Sequence, residues 1–217
     1  MIRVPNKKND TALTGNNNIY SNTSMYNALD FMMNNNQNQI ATAIPVKVVG
    51  VQKGDISSPV GYVDVLPLVT FVSGSNEAIE PVNLYHLPYY RVQGGKVAIV
   101  TDPVEGDKGL AVFAQSDCST VTSETTEPQQ PGSQRKHSQS DGFYIGGFLN
   151  QAPTCYLELT QDNKAVLHAT GGIQIDGNIN VNGSIKTTGD VVAGSISLQG
   201  HIHGNVRSGD STTGRPQ

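Results

Sequence analysis

From Gly171 onward, small and apolar residues recur in pairs at i and i+2: Ile173/Ile175, Ile179/Val181, Ile185/Thr187, Val191/Ala193 and Ile196/Leu198. The pairs step by six, six, six and then five residues, and a glycine stands two positions before each: Gly171, Gly177, Gly183, Gly189 and Gly194. Alternation with period two predicts β-strand. Each strand ends within a few residues, where a glycine turns the chain. One face of each unit carries the apolar pair, and the other carries Asn, Ser, Lys, Asp or Gln. Units of this kind gain stability by stacking. A single short solenoid would have open ends and a thin core. Three chains wound about a shared axis send every pair inward and pair each backbone edge with another chain. Five or six strands stacked on each face, at ~4.8 Å per strand, give a prism about 25–30 Å long, comparable to the ~30 Å apolar thickness of a bilayer.

Upstream, residues 41–116 alternate in the manner of a small β domain. Strand-like runs occupy 43–51, 62–69, 84–92, 96–100 and 109–114. Turn signals separate them at Lys53-Gly54-Asp55, Ser73-Gly74-Ser75, Gly94-Gly95 and Glu105-Gly106-Asp107-Lys108-Gly109. Five short strands in this length fit a closed barrel of the OB-fold type, and they equally fit an SH3-like barrel. Residues 117–142 are Ser, Thr, Glu, Gln and Pro with few apolar positions, which predicts a loop or linker. Strand character returns at 143–145, 155–159 and 165–168. Residues 1–40 are Asn-rich, with too little apolar surface to fold alone; Tyr26, Leu29 and Met33 have helical spacing and predict at most a short helix.

Composition sharpens this picture. The 217 residues include 23 Gly and no Trp, and 36% are hydrophobic, low for a chain that buries its own core. Burial against copies of itself removes that difficulty. Lys and Arg total 14 against 18 Asp and Glu, a net charge of -4. Phosphate binding needs an excess of base, so nucleic acid is not the expected partner. Cys118 and Cys155 show no CxxC pair and no framework spacing, and read as reduced thiols. No run reaches the ~18 apolar residues of a spanning helix, and the N-terminus lacks a secretion-signal pattern. The expected place of synthesis and assembly is therefore a cytoplasm, and any membrane crossing is mechanical or uses something other than a secretion signal.

One further step of five past Ile196/Leu198 lands on His201/His203, in Gly200-His201-Ile202-His203-Gly204. In a strand these imidazoles share a side, roughly 6.6 Å apart along the chain. In a threefold assembly three such pairs would surround the axis and offer six nitrogens to one octahedral ion. That geometry disfavours Zn²⁺ and suits Fe²⁺, Ni²⁺ or Co²⁺. With every position filled by protein, the ion would be structural. The alternative register turns Ile202 inward, six residues after Ile196, and exposes both histidines. Asn205–Gln217 is short and polar, a frayed tail or a small cap.

These pieces, in this order, resemble the central spike proteins of contractile phage tails, the baseplate assembly protein V or phage Mu spike family. The matching segments are Ile44–Val49, Val65–Val69, Pro103–Gly109, and Arg135–Gly142 with its His137-Ser138 and Asp141. Gly200–Gly204 and Thr213-Gly214-Arg215-Pro216 complete the set. The resemblance covers about 41–217 and leaves the arm 1–40 unassigned. It implies an all-β homotrimer. Its parts would be an OB-fold-like collar at 41–116, a linker at 117–142, an intertwined trimeric β-helix (a triple-stranded β-prism) at 143–204 and a metal-bound apex with a tail at 205–217. It further implies iron held by His201 and His203 of three chains, a collar docked to baseplate hub proteins, and an apex that meets the host outer membrane. The protein would be a component of the virion and not an enzyme.

Two rivals share some of these features. A trimeric hexapeptide-repeat metalloenzyme would need more coils and a metal with an open position. A trimeric receptor-binding tail fibre would bind a surface sugar. His137 reads as a loop residue with no base–nucleophile arrangement around it, His86 and His168 read as structural, and the scattered carboxylates form no paired-acid signature.

Overall fold

A computed structural model describes residues 23–55, 60–72, 77–202 and 209. The chain divides into two compact units, Met1–Ala152 and Pro153–Gln217.

In the first unit, helix α1 (Met25–Asn38) starts at an N-cap, where the Ser24 hydroxyl accepts the Asn27 N–H at 3.1 Å. Its Met25, Leu29, Met32 and Met33 side chains are exposed. Eight strands follow before a ninth completes the sheet: β1 (Ala43–Gln52), β2 (Tyr62–Pro67), β3 (Phe71–Val72), β4 (Ala78–Ile79), β5 (Leu84–Pro88), β6 (Val92–Gly94), β7 (Val97–Ile99), β8 (Lys108–Phe113) and β9 (Gly142–Gly146). One curled antiparallel sheet runs β5-β2-β1-β8-β9, while β3–β4 and β6–β7 are separate two-stranded ladders. Its two outer strands approach each other through a parallel bridge between Tyr89 and Tyr144, where the Tyr90 N–H donates to the Tyr144 carbonyl at 2.8 Å.

Alternation builds the core. Val46 and Val48 of β1, Val63 and Val65 of β2, Leu84 and Leu87 of β5, Ala111 and Phe113 of β8, and Tyr144 of β9 all point inside. Tyr144 lies over β8 because Gly109 has no side chain: a Cβ there would fall 2.5 Å from the ring and from the Ile145 carbonyl oxygen. Burial, with Asp107 nearby, pushes the Tyr144 hydroxyl up to about 12. The fifth strand of the sheet thus comes from 142–146, residues that the sequence pattern groups partly with the linker and partly with the spike. The run at 96–100, expected as a sheet strand, instead folds back on Val92–Gly94 as a hairpin, turned by Gly95 at φ 57°.

Between β8 and β9 the chain is irregular yet tied down. Arg135 reaches two nearly buried carboxylates, Asp117 at 2.9 Å and Asp141 at 3.3 Å. Asp117 also accepts the Ser119 N–H at 3.0 Å and the Ser133 hydroxyl at 2.6 Å. Hydrogen bonds from Ser119 and Ser133, with Arg135 adding its charge, hold the Asp117 carboxyl far below the usual range.

In the second unit, β10 (Tyr156–Leu159) and β11 (Ala165–His168) form a hairpin, and β12 (Val192–Ala193) and β13 (Ile196–Ser197) form a smaller one. Among the described residues, 171–190 enter no ladder, and Ile173, Ile175, Ile179, Val181 and Ile185 are all exposed. The strands expected there do not form in one chain, whose own residues leave these apolar pairs uncovered. Gly172 and Gly177 adopt positive φ, at 89° and 144°.

Candidate functional site

Among the described residues of the repeat, a ladder forms in the segment leading to the histidine pair. β12 and β13 join through Gly194-Ser195, with Ala193 opposite Ile196 and Gly194 at φ 63°, a two-residue turn of the kind that requires glycine first. The Leu198 N–H donates to the Val191 carbonyl at 2.8 Å. The Asp190 carboxylate closes the loop by accepting the Val191 N–H at 2.8 Å and the Gln199 N–H at 3.0 Å. The Ser197 side chain, and then the Gln199 amide, hold the Asp190 carboxyl below its ordinary value.

Ser197 then sets the next turn. Its hydroxyl accepts the Gly200 N–H at 2.8 Å, and its carbonyl accepts the His201 N–H at 3.1 Å. The His201 ring nitrogen Nδ1 sits 3.0 Å from the Ser197 carbonyl oxygen and 3.1 Å from that of Leu198. A carbonyl oxygen can only accept, so Nδ1 is placed to donate, and a neutral ring with its proton there would carry its lone pair on Nε2. Backbone anchoring of one ring nitrogen is how metal-ligating histidines are commonly oriented. The donor chemistry of His201 therefore fits a metal ligand bound through Nε2. Its neighbour Ile202 is 92% exposed. His203 lies outside the described residues, as do 205–208 and 210–217 of the tail. Among the described residues of one chain, no group of three His, Cys, Asp or Glu side chains comes together to hold an ion.

The remaining histidines lie elsewhere. His86 stacks on Tyr62 with ring centroids 3.8 Å apart, and His168 stacks on Tyr156 at 5.2 Å. His137 adopts φ 50° in the tied loop, where its N–H donates to the Gln115 carbonyl at 3.1 Å. Cys118 and Cys155 are both free, and burial, then Asp141, push the Cys118 thiol up. Sequence reasoning missed Asp190 and Ser197 as the residues that shape the approach to His201. The available signal was an Asp directly after Gly189, a turn-forming dipeptide.

No curated protein sequence matches the chain. A family model described as the GpV Apex motif matches residues 195–217, which begin in the β12–β13 turn and run through both histidines to Gln217. That match points to the structural spike proteins of the phage baseplate.

Proposed function

We propose that this chain is the trimeric central spike of a contractile phage tail. It would sit at the tip of the baseplate and puncture the host outer membrane when the sheath contracts. The observation that carries the reading is the apex-motif match at 195–217, directly after a glycine-spaced repeat whose apolar side chains lie uncovered in a single chain. Two further copies would bury them around a common axis, as an intertwined β-helix.

The first unit suits a collar. Counting only the strands of its curled sheet, the order is third, second, first, fourth, fifth, with the third and fifth approaching in parallel. That connectivity supports the OB-fold reading over an SH3-like barrel, and baseplate hub proteins are the partners it would dock against. At the other end, His201 and His203 from three copies would supply six imidazole nitrogens. A bound iron(II) ion would add its binding free energy to that of folding, pinning three chain ends that would otherwise fray. Nδ1 of His201 is held by backbone carbonyls, so its part is to present Nε2. The hexapeptide-repeat enzyme and the receptor-binding fibre have no comparable observation in their favour.

The test is the mass of the purified protein in solution together with its metal content. A trimer with about one iron per three chains is the expected result. A monomer overturns the spike, and a metal-free trimer removes the metal role of His201 and His203.

A further inference from the structure

The outer side of the curled sheet carries a group of side chains that the spike reading leaves unused. Gln52 of β1 stands opposite Tyr62 of β2, and Gly50 stands opposite Asp64. Directly opposed residues share a face. The alternating Val51, Val63 and Val65 pack into the core, so Gln52, Gly50, Tyr62 and Asp64 lie on the outer side. His86 of β5 joins them: its ring lies nearly parallel to that of Tyr62, with centroids 3.8 Å and planes 10° apart. Both aromatic residues are exposed, Tyr62 by 37%, and so is Gln52.

The aromatic pair is pinned. His86 is a non-glycine residue at φ 62°, and its backbone N–H donates to one oxygen of Asp64 at 2.9 Å. A backbone outlier held in this way is a pointer to function. The second oxygen of Asp64 accepts no hydrogen bond among the described residues. Gly50 keeps the ground beside that oxygen bare, since a Cβ there would fall 3.2 Å from it. The face thus offers a fixed aromatic surface, a free carboxylate oxygen and the Gln52 amide, which both donates and accepts. No Lys or Arg stands in the group, so an anionic ligand finds no counter-charge there.

We propose that this face binds a neutral oligosaccharide. The C–H side of a pyranose ring would lie on the aromatic pair, where tyrosine provides an apolar body. Its hydroxyls would donate to Asp64 and exchange hydrogen bonds with Gln52. On the OB-fold reading above, β2 and β5 are the second and third strands, the face through which such folds take oligosaccharides and oligonucleotides. That placement rests on the OB-fold reading; the set of side chains does not. The inference belongs to the first unit and leaves the spike reading, carried by 195–217, as it stands.

The test is calorimetric titration of the full chain with a tetrasaccharide of N-acetylglucosamine, a tetrasaccharide of glucose and a short oligothymidylate. Saturable binding of at least one sugar is expected, weakened about tenfold by Tyr62→Leu at an unchanged melting temperature. Gln52→Ala, at the exposed end of β1, should weaken it too, and it decides the matter if Tyr62→Leu fails to fold. Binding of neither sugar overturns the inference, as does sugar binding that both variants leave intact. Oligothymidylate bound in place of sugar, and lost in Tyr62→Leu, overturns the ligand class.

Discussion

The carboxylate of Asp64 accepts the backbone N–H of His86 at 2.9 Å, at a point where the curled sheet is irregular on both sides of β2. Against β1 the pairing jumps from Val48↔Val65 to Gly50↔Asp64, and against β5 it jumps from Val63↔Leu87 to Val65↔Leu84. Each jump inserts an extra residue and increases local twist. Two such irregularities flanking one residue bend the sheet toward closure. His86 stands in the left-handed region at φ 62°, and the Asp64 bond supplies the partner that its turned amide would otherwise lack. Asp64→Ala should cost about 1–2 kcal/mol in urea unfolding of the curled sheet. The size of the stacked Tyr62–His86 pair, read by near-ultraviolet circular dichroism, should fall with it.

Gly109 is a point of close approach between β8 and β9. Gly109→Ala forces either the Tyr144 ring or the β8–β9 ladder to move, because the new Cβ has neighbours at 2.5 Å. Overpacking of this kind costs about 1–3 kcal/mol. A lowered midpoint of denaturation checks it, and Gly147→Ala, with open space around the site but φ 95°, separates backbone strain from crowding.

Acid should loosen the tied loop between β8 and β9. The folded-state pKa of Asp117 is depressed, so its contribution is complete above the unfolded carboxylate value of about 4 and is lost as pH falls below it toward the folded value. The difference in melting temperature between the parent and Asp117→Asn should therefore be constant from neutral pH down to about pH 5 and shrink below about pH 4. Arg135→Ala should lower the melting temperature at neutral pH, since it leaves Asp117 and Asp141 without their shared cation.

Substitution in the repeat should separate assembly from folding of the first unit. Ile179→Asp places a charge where three copies would meet and should reduce the proposed trimer to monomers by light scattering. The curled sheet, whose core draws on none of these residues, should keep its unfolding midpoint.

His201→Ala combined with His203→Ala should abolish iron retention and leave the trimer body folded. Elemental analysis and mass in solution read the two effects separately. Ser197→Ala, which removes the hydroxyl that accepts the Gly200 N–H, should weaken metal retention less than either histidine change.

Much of this protein was legible from its alternation and its glycines. Val46, Val48, Val63 and Val65 declare an inward face because strand side chains alternate, and that rule is local. The repeat from Gly171 declares apolar pairs that one chain cannot cover, and its isoleucines are exposed accordingly, but the strands expected over 171–190 do not form in the single chain. The helical spacing of Tyr26, Leu29 and Met33 likewise anticipated α1. Long-range pairing was not legible. That Gly142–Gly146 pairs with β8, Tyr144 lying against the bare backbone of Gly109, while Val97–Ile99 pairs with Val92–Gly94, depends on contacts that alternation does not encode. The Arg135 clamp on Asp117 and Asp141 was hidden because the polar composition of 117–142 is the same whether a loop is free or tied. The sequence singled out His201 and His203 as a pair. Only the folded turn set Nδ1 of His201 against the carbonyls of Ser197 and Leu198.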